Sequence, residues 1–245
     1  MRLVIFTIAA ACMLSACNTK NDYKQIIHDP LLFSNTVHKL NEVVMGNNFS
    51  PIVASRNYAY ASVAAYEVIA AGQPDQYASL AGQLNGLTNM PKAEAADKTD
   101  FELAAILAYS KLGEAVTFPE GSMKDYVDSI KNLAKEHGMP ADVFKNSVAF
   151  ADTVSAVILA WSKKDKYLQS RTFPKYTVID TPGRWMPTPP AYTSAMEPHW
   201  NVIRPMVLDS ASQFMVPRPP AFDVTNKNSL YYKQVMLVKN AVDSL

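Results

Sequence analysis

Residues 141–163 read ADVFKNSVAFADTVSAVILAWSK. Within them Phe144, Val148, Ala151, Val154, Ile158 and Trp161 recur at steps of three and four. That spacing lines them up along one face of a helix with 3.6 residues per turn. The stretch is about six turns long, and this recurrence predicts a core-facing helix. No strand-like alternation of comparable length occurs elsewhere in the chain, so the fold class predicted is all-α.

Working outward, the same pattern recurs upstream. Ser50-Pro51 has the form of a helix start, with Ser as N-cap and Pro at the first helical position. The helix it opens runs through Val53, Ala54, Ala61, Ala64, Ala65, Val68 and Ile69 to Gly72, with Pro74 beyond. Residues 75–87 are expected to form a second, shorter helix. Thr99-Asp100-Phe101-Glu102 opens another, carrying Leu103, Ile106, Leu107, Leu112 and Val116 as far as Pro119. Residues 120–137 make an amphipathic helix with Tyr126, Val127, Ile130 and Leu133 on one side, closed by Gly138 as a left-handed C-cap residue. His137 sits there as a partner for the helix dipole.

Downstream of about residue 166 the composition changes. Residues 170–223 hold ten of the 16 prolines. Such density usually marks disorder, but the segment also carries Phe173, Tyr176, Trp185, Tyr192, Trp200, Phe214 and Phe222, and disordered chains are poor in aromatics. It is therefore expected to be an ordered, irregular loop pinned by buried rings. A last helix is expected at about 226–243, with Leu230, Tyr231, Val235, Leu237, Val238 and Val242.

The N-terminus carries an export signal. Arg2 supplies the positive charge, and residues 3–14 are apolar apart from Thr7, a run too short to span a bilayer permanently. Leu14-Ser15-Ala16-Cys17 has the form of a lipobox, in which Cys17 is the lipidated residue and the first of the mature chain. Two or three acyl chains, each buried CH₂ contributing about 0.8 kcal/mol, anchor a domain stably without a transmembrane helix. No other apolar run is expected to span a membrane. The organisation read from the chain is thus a signal at 1–16, a tether at 17–30, a helical bundle at 31–165, a Pro/aromatic-rich segment at 166–225, and the start of a further helix at 226–245. The expected location is the cell envelope, on the periplasmic side or the cell surface, with the membrane reached through the lipid.

Composition excludes several functions. The two cysteines, Cys12 and Cys17, both lie in the signal region, so no disulfide framework is available. Charge is balanced, with 23 basic and 22 acidic residues and no basic stripe, which argues against a nucleic-acid partner. There is no phosphate-cradling Gly-rich loop and no Gly-x-Ser-x-Gly nucleophile signal. Nor do repeats of 33 to 47 residues occur.

Two segments carry a resemblance. The first is Arg56-Asn57-Tyr58-Ala59-Tyr60-Ala61-Ser62-Val63-Ala64-Ala65-Tyr66-Glu67-Val68. The second is Gly183-Arg184-Trp185-Met186-Pro187-Thr188-Pro189-Pro190-Ala191-Tyr192, continuing through Glu197-Pro198-His199-Trp200-Asn201-Val202-Ile203-Arg204-Pro205. Together they resemble the early Ala-rich helix and the Trp-x-Pro-Thr-Pro-Pro and Pro-x-Trp segments of exported vanadium-dependent haloperoxidases, within the superfamily of type 2 phosphatidic acid phosphatases. The resemblance covers most of the mature chain. It implies an all-helical enzyme that holds vanadate, or transfers phosphate, in a cationic pocket.

Family members build that pocket from three motifs: Lys, six residues, then Arg-Pro; Pro-Ser-Gly-His; and Ser-Arg, five residues, then His. Cationic donors offset the desolvation of the oxyanion, one His binds the metal or phosphorus, and another serves as acid or base. None of the three is present here. Arg204-Pro205 and Arg218-Pro219 are preceded at the lysine position by Glu197 and Ala211. Ser55-Arg56 and Ser170-Arg171 are followed at the histidine position by Ser62 and Thr177. The resemblance therefore implies an N-terminal part of a larger helical fold, with no catalytic residue and no cofactor of its own. Vanadate belongs to a complete member, and the missing C-terminal half is the expected partner.

Trp185, His199, Trp200 and Arg204 are the candidate residues at the mouth of the pocket in a complete enzyme. The competing and favoured reading is structural, with His199 and Arg204 bonding loop carbonyls. Glu197-x-His199 has no third ligand at a recognisable spacing, so no metal site is read. A different class of function stays open: a non-catalytic envelope lipoprotein that binds a glycan, peptide or protein through the aromatic loop.

Overall fold

The computed structural model describes residues 22–94 and 98–245. The signal and lipobox, Cys17 included, lie outside the described residues. No β-strand occurs among those described, so the all-α expectation holds. The chain divides into two compact units, one ending at Asp165 and the other beginning at Lys166.

The first unit contains α1 (Tyr23–Ile27), α2 (Pro30–Gly46), α3 (Pro51–Gly72), α4 (Phe101–Ala115), α5 (Lys124–Glu136) and α6 (Ala141–Ser162). Its caps follow the sequence. Ser50 accepts from the Val53 N–H, with Pro51 in the first turn, and Asp100 accepts from the Leu103 N–H. The core is the packing of α3 on α4 and of α6 on both. Small residues make the first of these contacts close, with Ala61, Ala64 and Ala65 of α3 and Ala104, Ala105 and Ala108 of α4 all buried. Gly113 of α4 is required by α2: a Cβ there would stand 2.7 Å from both methyls of the fully buried Leu40.

The stripe that predicted α6 is its buried face from Ala151 onward, through Val154, Ile158 and Trp161. Contrary to expectation, α6 is also long and apolar enough, by length and composition, to cross a membrane. It packs against α3 and α4 through Ala151, Val154, Ile158 and Trp161, and a core helix and a spanning helix share that composition.

Residues 23–27, expected within a polar tether, instead form α1. Its Tyr23 and Ile27 are buried, the Tyr23 N–H donates to the His137 carbonyl (3.1 Å), and Asp22 bonds His137 Nδ1 (2.6 Å). Gly138 has φ +84°, the left-handed conformation expected of a residue ending α5.

The helix expected at 75–87 does not form. Its backbone is drawn away by buried side chains from neighbouring helices. Glu67, 2% exposed, accepts from the Leu80 N–H (2.6 Å) and from Ser79 Oγ (2.8 Å). Tyr66 donates to the Ala78 carbonyl, and the Trp161 indole N–H to the Asn85 carbonyl (3.0 Å). Left-handed glycines at 82 and 86 complete the turns.

The second unit holds α7 (Tyr167–Ser170), a 3₁₀ turn at Trp200–Val202 and α8 (Leu230–Asp243), joined by irregular chain. The rings expected to be buried in this segment are not. Trp185 is 48% exposed and Phe214 77%, and Phe173, Tyr176, Tyr192 and Phe222 are exposed as well. Few apolar side chains converge here, so the rings pair edge-on with each other: Phe173 with His199, Tyr176 with Trp185, Tyr167 with Trp200. Helix α8, capped by Ser229 onto the Tyr232 N–H, buries none of its residues.

Candidate functional site

In the second unit the sequence-predicted residues fall into separate groups. His199 Nε2 bonds the Pro174 carbonyl at 2.7 Å and its ring stands 5.2 Å from Phe173, the loop-holding role that the structural reading gives it. Trp200 opens the 3₁₀ turn, its ring 6.4 Å from Tyr167. Trp185 meets Tyr176 edge-on, and Arg204 is half-buried beside the buried Ile203. The strongest polar contact was not foreseen: Arg171 places both terminal guanidinium nitrogens on the Glu197 carboxylate while lying over the Tyr167 ring. The hydrogen bonds Arg171 donates to Glu197, aided by the carboxylate's charge, raise the Arg171 pKa above its ordinary value.

In the first unit α2, α3 and α4 enclose an open, mainly apolar groove of about 720 Å³. Tyrosines line it: Tyr58 and Tyr66 from α3, Tyr77 from the turn segment and Tyr109 from α4. Burial holds the Tyr109 phenol neutral to unusually high pH, pushing its pKa to about 12, and raises that of Tyr58 as well. At one edge stand His28 and Glu102. His28 Nε2 lies 2.8 Å from Asp100 Oδ2 and 3.6 Å from Glu102 Oε2, and one donor atom from each residue falls within 4.8 Å of the others. Sequence reading missed this group because 72 residues separate the imidazole from Asp100. The only local sign is an Asp-x-Glu pair in a helix start, which an ordinary capping residue explains equally well.

A buried polar network ties α3 to the end of α6. Arg56 Nε donates to Asp165 Oδ2 at 2.6 Å, Tyr60 Oη donates to the same oxygen at 2.9 Å, and the guanidinium lies 4.8 Å from the Tyr60 ring. Between α4, α5 and α6 a second cleft of about 810 Å³ is lined by Lys111, Lys124 and Lys131, but also by Glu114, Glu120, Asp128 and Asp152.

These donors do not fit an oxyanion such as vanadate. Holding one away from water needs cations whose charge is not already matched. In the clefts and networks just described, Arg56 is matched by Asp165, Arg171 by Glu197, Lys111 by Asp152 and Lys124 by Asp128, and Lys131 shares its cleft with four carboxylates. Neither His199, on a carbonyl, nor His28, on two carboxylates, faces a cationic cluster.

No family model and no curated protein matches the chain. Among solved structures it is similar to a protein described as the first bacterial vanadium-dependent iodoperoxidase, with 43% sequence identity and a TM-score of 0.79 over 88% of this chain. The chain spans about half of that protein, 52% of its length. The likeness rests on an identity well above that of chance fold similarity. The chain belongs to the vanadium haloperoxidase superfamily.

Proposed function

We propose that these 245 residues form the helical scaffold portion of an exported vanadium-dependent haloperoxidase, and that the residues holding vanadate lie outside them. The observation that carries the reading is the 43% identity to an iodoperoxidase along 88% of the chain. It favours halide oxidation over phosphate transfer as the chemistry of the whole protein. The absence of the three anion-binding motifs from the sequence, and the neutralised state of the cations described above, support placing the vanadate site elsewhere. The lipobox ending at Cys17 supports export and lipid tethering at the cell envelope. The alternative of a non-catalytic lipoprotein binding a glycan, peptide or protein draws on the exposed rings of the second unit, Trp185, Tyr192 and Phe214.

A chimera tests the proposal. Residues 22–245 are substituted for the matched half of the bacterial iodoperoxidase, and iodide oxidation is assayed with and without vanadate. The expected result is vanadate-dependent turnover by the chimera and none by the 245-residue chain. Turnover by the 245-residue chain alone would refute it.

A further inference from the structure

His28, Asp100 and Glu102 differ from the other ion pairs of the first unit in donor chemistry and in setting. The remaining pairs are lysine or arginine with carboxylate, or one histidine with one carboxylate. Here a single imidazole nitrogen faces two carboxylates from a different part of the chain. The geometry points to a binding site for a divalent ion of the zinc class, held by His28 Nε2, Asp100 Oδ2 and Glu102 Oε2 at the edge of the tyrosine-lined groove.

Three features argue for it. The first is spacing. Ligands about 2.0–2.2 Å from a tetrahedral zinc stand roughly 3.3–3.6 Å apart. The His28–Glu102 distance is already 3.6 Å, and the His28–Asp100 distance of 2.8 Å needs to open by only about half an ångström.

The second is support around the ligands. Asp100 is the fixed member, its side chain only 4% exposed. Its Oδ1 is committed to the Leu103 N–H (3.0 Å) and its backbone N–H to Ser147 Oγ (2.8 Å), which leaves Oδ2 turned to His28. Outer hydrogen bonds of this kind orient metal ligands and sharpen their affinity. His28 and Glu102, a third and two-fifths exposed, leave an entry path for the ion.

The third is charge. Two carboxylates and a neutral imidazole carry two negative charges, which a divalent ion cancels. The positive end of α4, equivalent to about half a unit charge, opposes the ion but is outweighed. An imidazole with two carboxylates selects zinc, cobalt or nickel over calcium or magnesium, which favour all-oxygen shells. Three protein ligands leave a fourth position for water or for a group entering the groove, whose wall includes His28 and Glu102.

The site is independent of vanadate chemistry, and its test reads metal binding directly. The full chain, purified without a polyhistidine tag and stripped of metal, is titrated with Zn²⁺ by calorimetry and with Co²⁺ by visible absorption. One equivalent binding at micromolar concentration, with the intense d–d bands of a low-symmetry cobalt site, is expected. His28→Gln is expected to weaken binding by at least about 100-fold and Glu102→Gln by about 10-fold, with the helical circular dichroism of both unchanged. Asp152→Asn, which alters an exposed carboxylate elsewhere on the unit, should bind as the parent does. No uptake at tens of micromolar Zn²⁺, or parental affinity in both His28→Gln and Glu102→Gln, would overturn the assignment.

Discussion

Replacing Arg56 by Met tests whether the first unit is held by a buried charge pair or only by its alanine seam. Asp165 is 1% exposed and the Arg56 side chain 9%, so neither charge retains much water. With Arg56 gone, the carboxylate keeps the Tyr60 hydroxyl but loses the cation that matched it. Breaking a buried pair in this way costs about 3–5 kcal/mol, because an uncompensated charge stays behind. For a chain of this size each kcal/mol lowers Tm by about 2–4 °C, so a loss near 4 kcal/mol predicts a drop of roughly 8–16 °C. Tyr60→Phe removes one hydrogen bond to the same oxygen and should cost less, about 1.5–3 kcal/mol. The double variant Arg56→Met/Asp165→Leu removes both charges and should recover much of the loss, since apolar replacement of a whole buried pair is often neutral. Thermal and urea unfolding followed by circular dichroism at 222 nm reads all three. A cost below about 1 kcal/mol for Arg56→Met, or a double variant no more stable than the single one, would refute the reasoning.

Four further outcomes are expected. Gly113→Ala should destabilise by about 1–2 kcal/mol despite the better helix propensity of Ala, because the new methyl meets Leu40 at 2.7 Å with no room to retreat; urea unfolding measures it. Alkaline titration of phenolate absorbance at 295 nm should show a late phase near pH 12 that disappears in Tyr109→Phe. Because burial raises the folded pKa of Tyr109 above its unfolded value, its contribution to stability is full below about pH 10 and is lost as pH rises through about 12. Arg171→Lys should barely change global stability, the pair being partly exposed, yet should quicken proteolysis between residues 172 and 197 because lysine cannot make the two-pronged contact to Glu197. Cys17→Ser should abolish labelling of the chain by radioactive palmitate in a host that processes lipoproteins.

The helices that make the core were legible because their signals are local. The three-four stripe of α6, Ser50-Pro51 before α3 and Asp100 before α4 each act within a turn or two of themselves. What escaped is set by contacts across the chain. Residues 75–87 have helical composition, but Glu67 and Trp161 reach over and take their backbone groups. Five residues of α1 are too few to show a period, and only their packing on the end of α5 reveals them. Arg56 and Glu67, quoted in the sequence as part of a family likeness, turn out to be buried structural anchors, a role that nothing in their neighbours announces. In the Pro-rich segment most of the rings are exposed, and aromatic content alone does not say whether rings are covered. The partners that cluster His28 with Asp100 and Glu102 arrive only when α1 docks beside the start of α4.

The proposal that this chain shares the vanadium haloperoxidase fold while vanadate is held by other residues turns on vanadate binding. Equilibrium dialysis of the purified 245-residue protein against vanadate, with bound metal counted by ⁵¹V NMR, tests it most directly. No stoichiometric uptake by this chain and one equivalent by the chimera with the iodoperoxidase half are expected. One equivalent bound tightly by the 245 residues alone would contradict it.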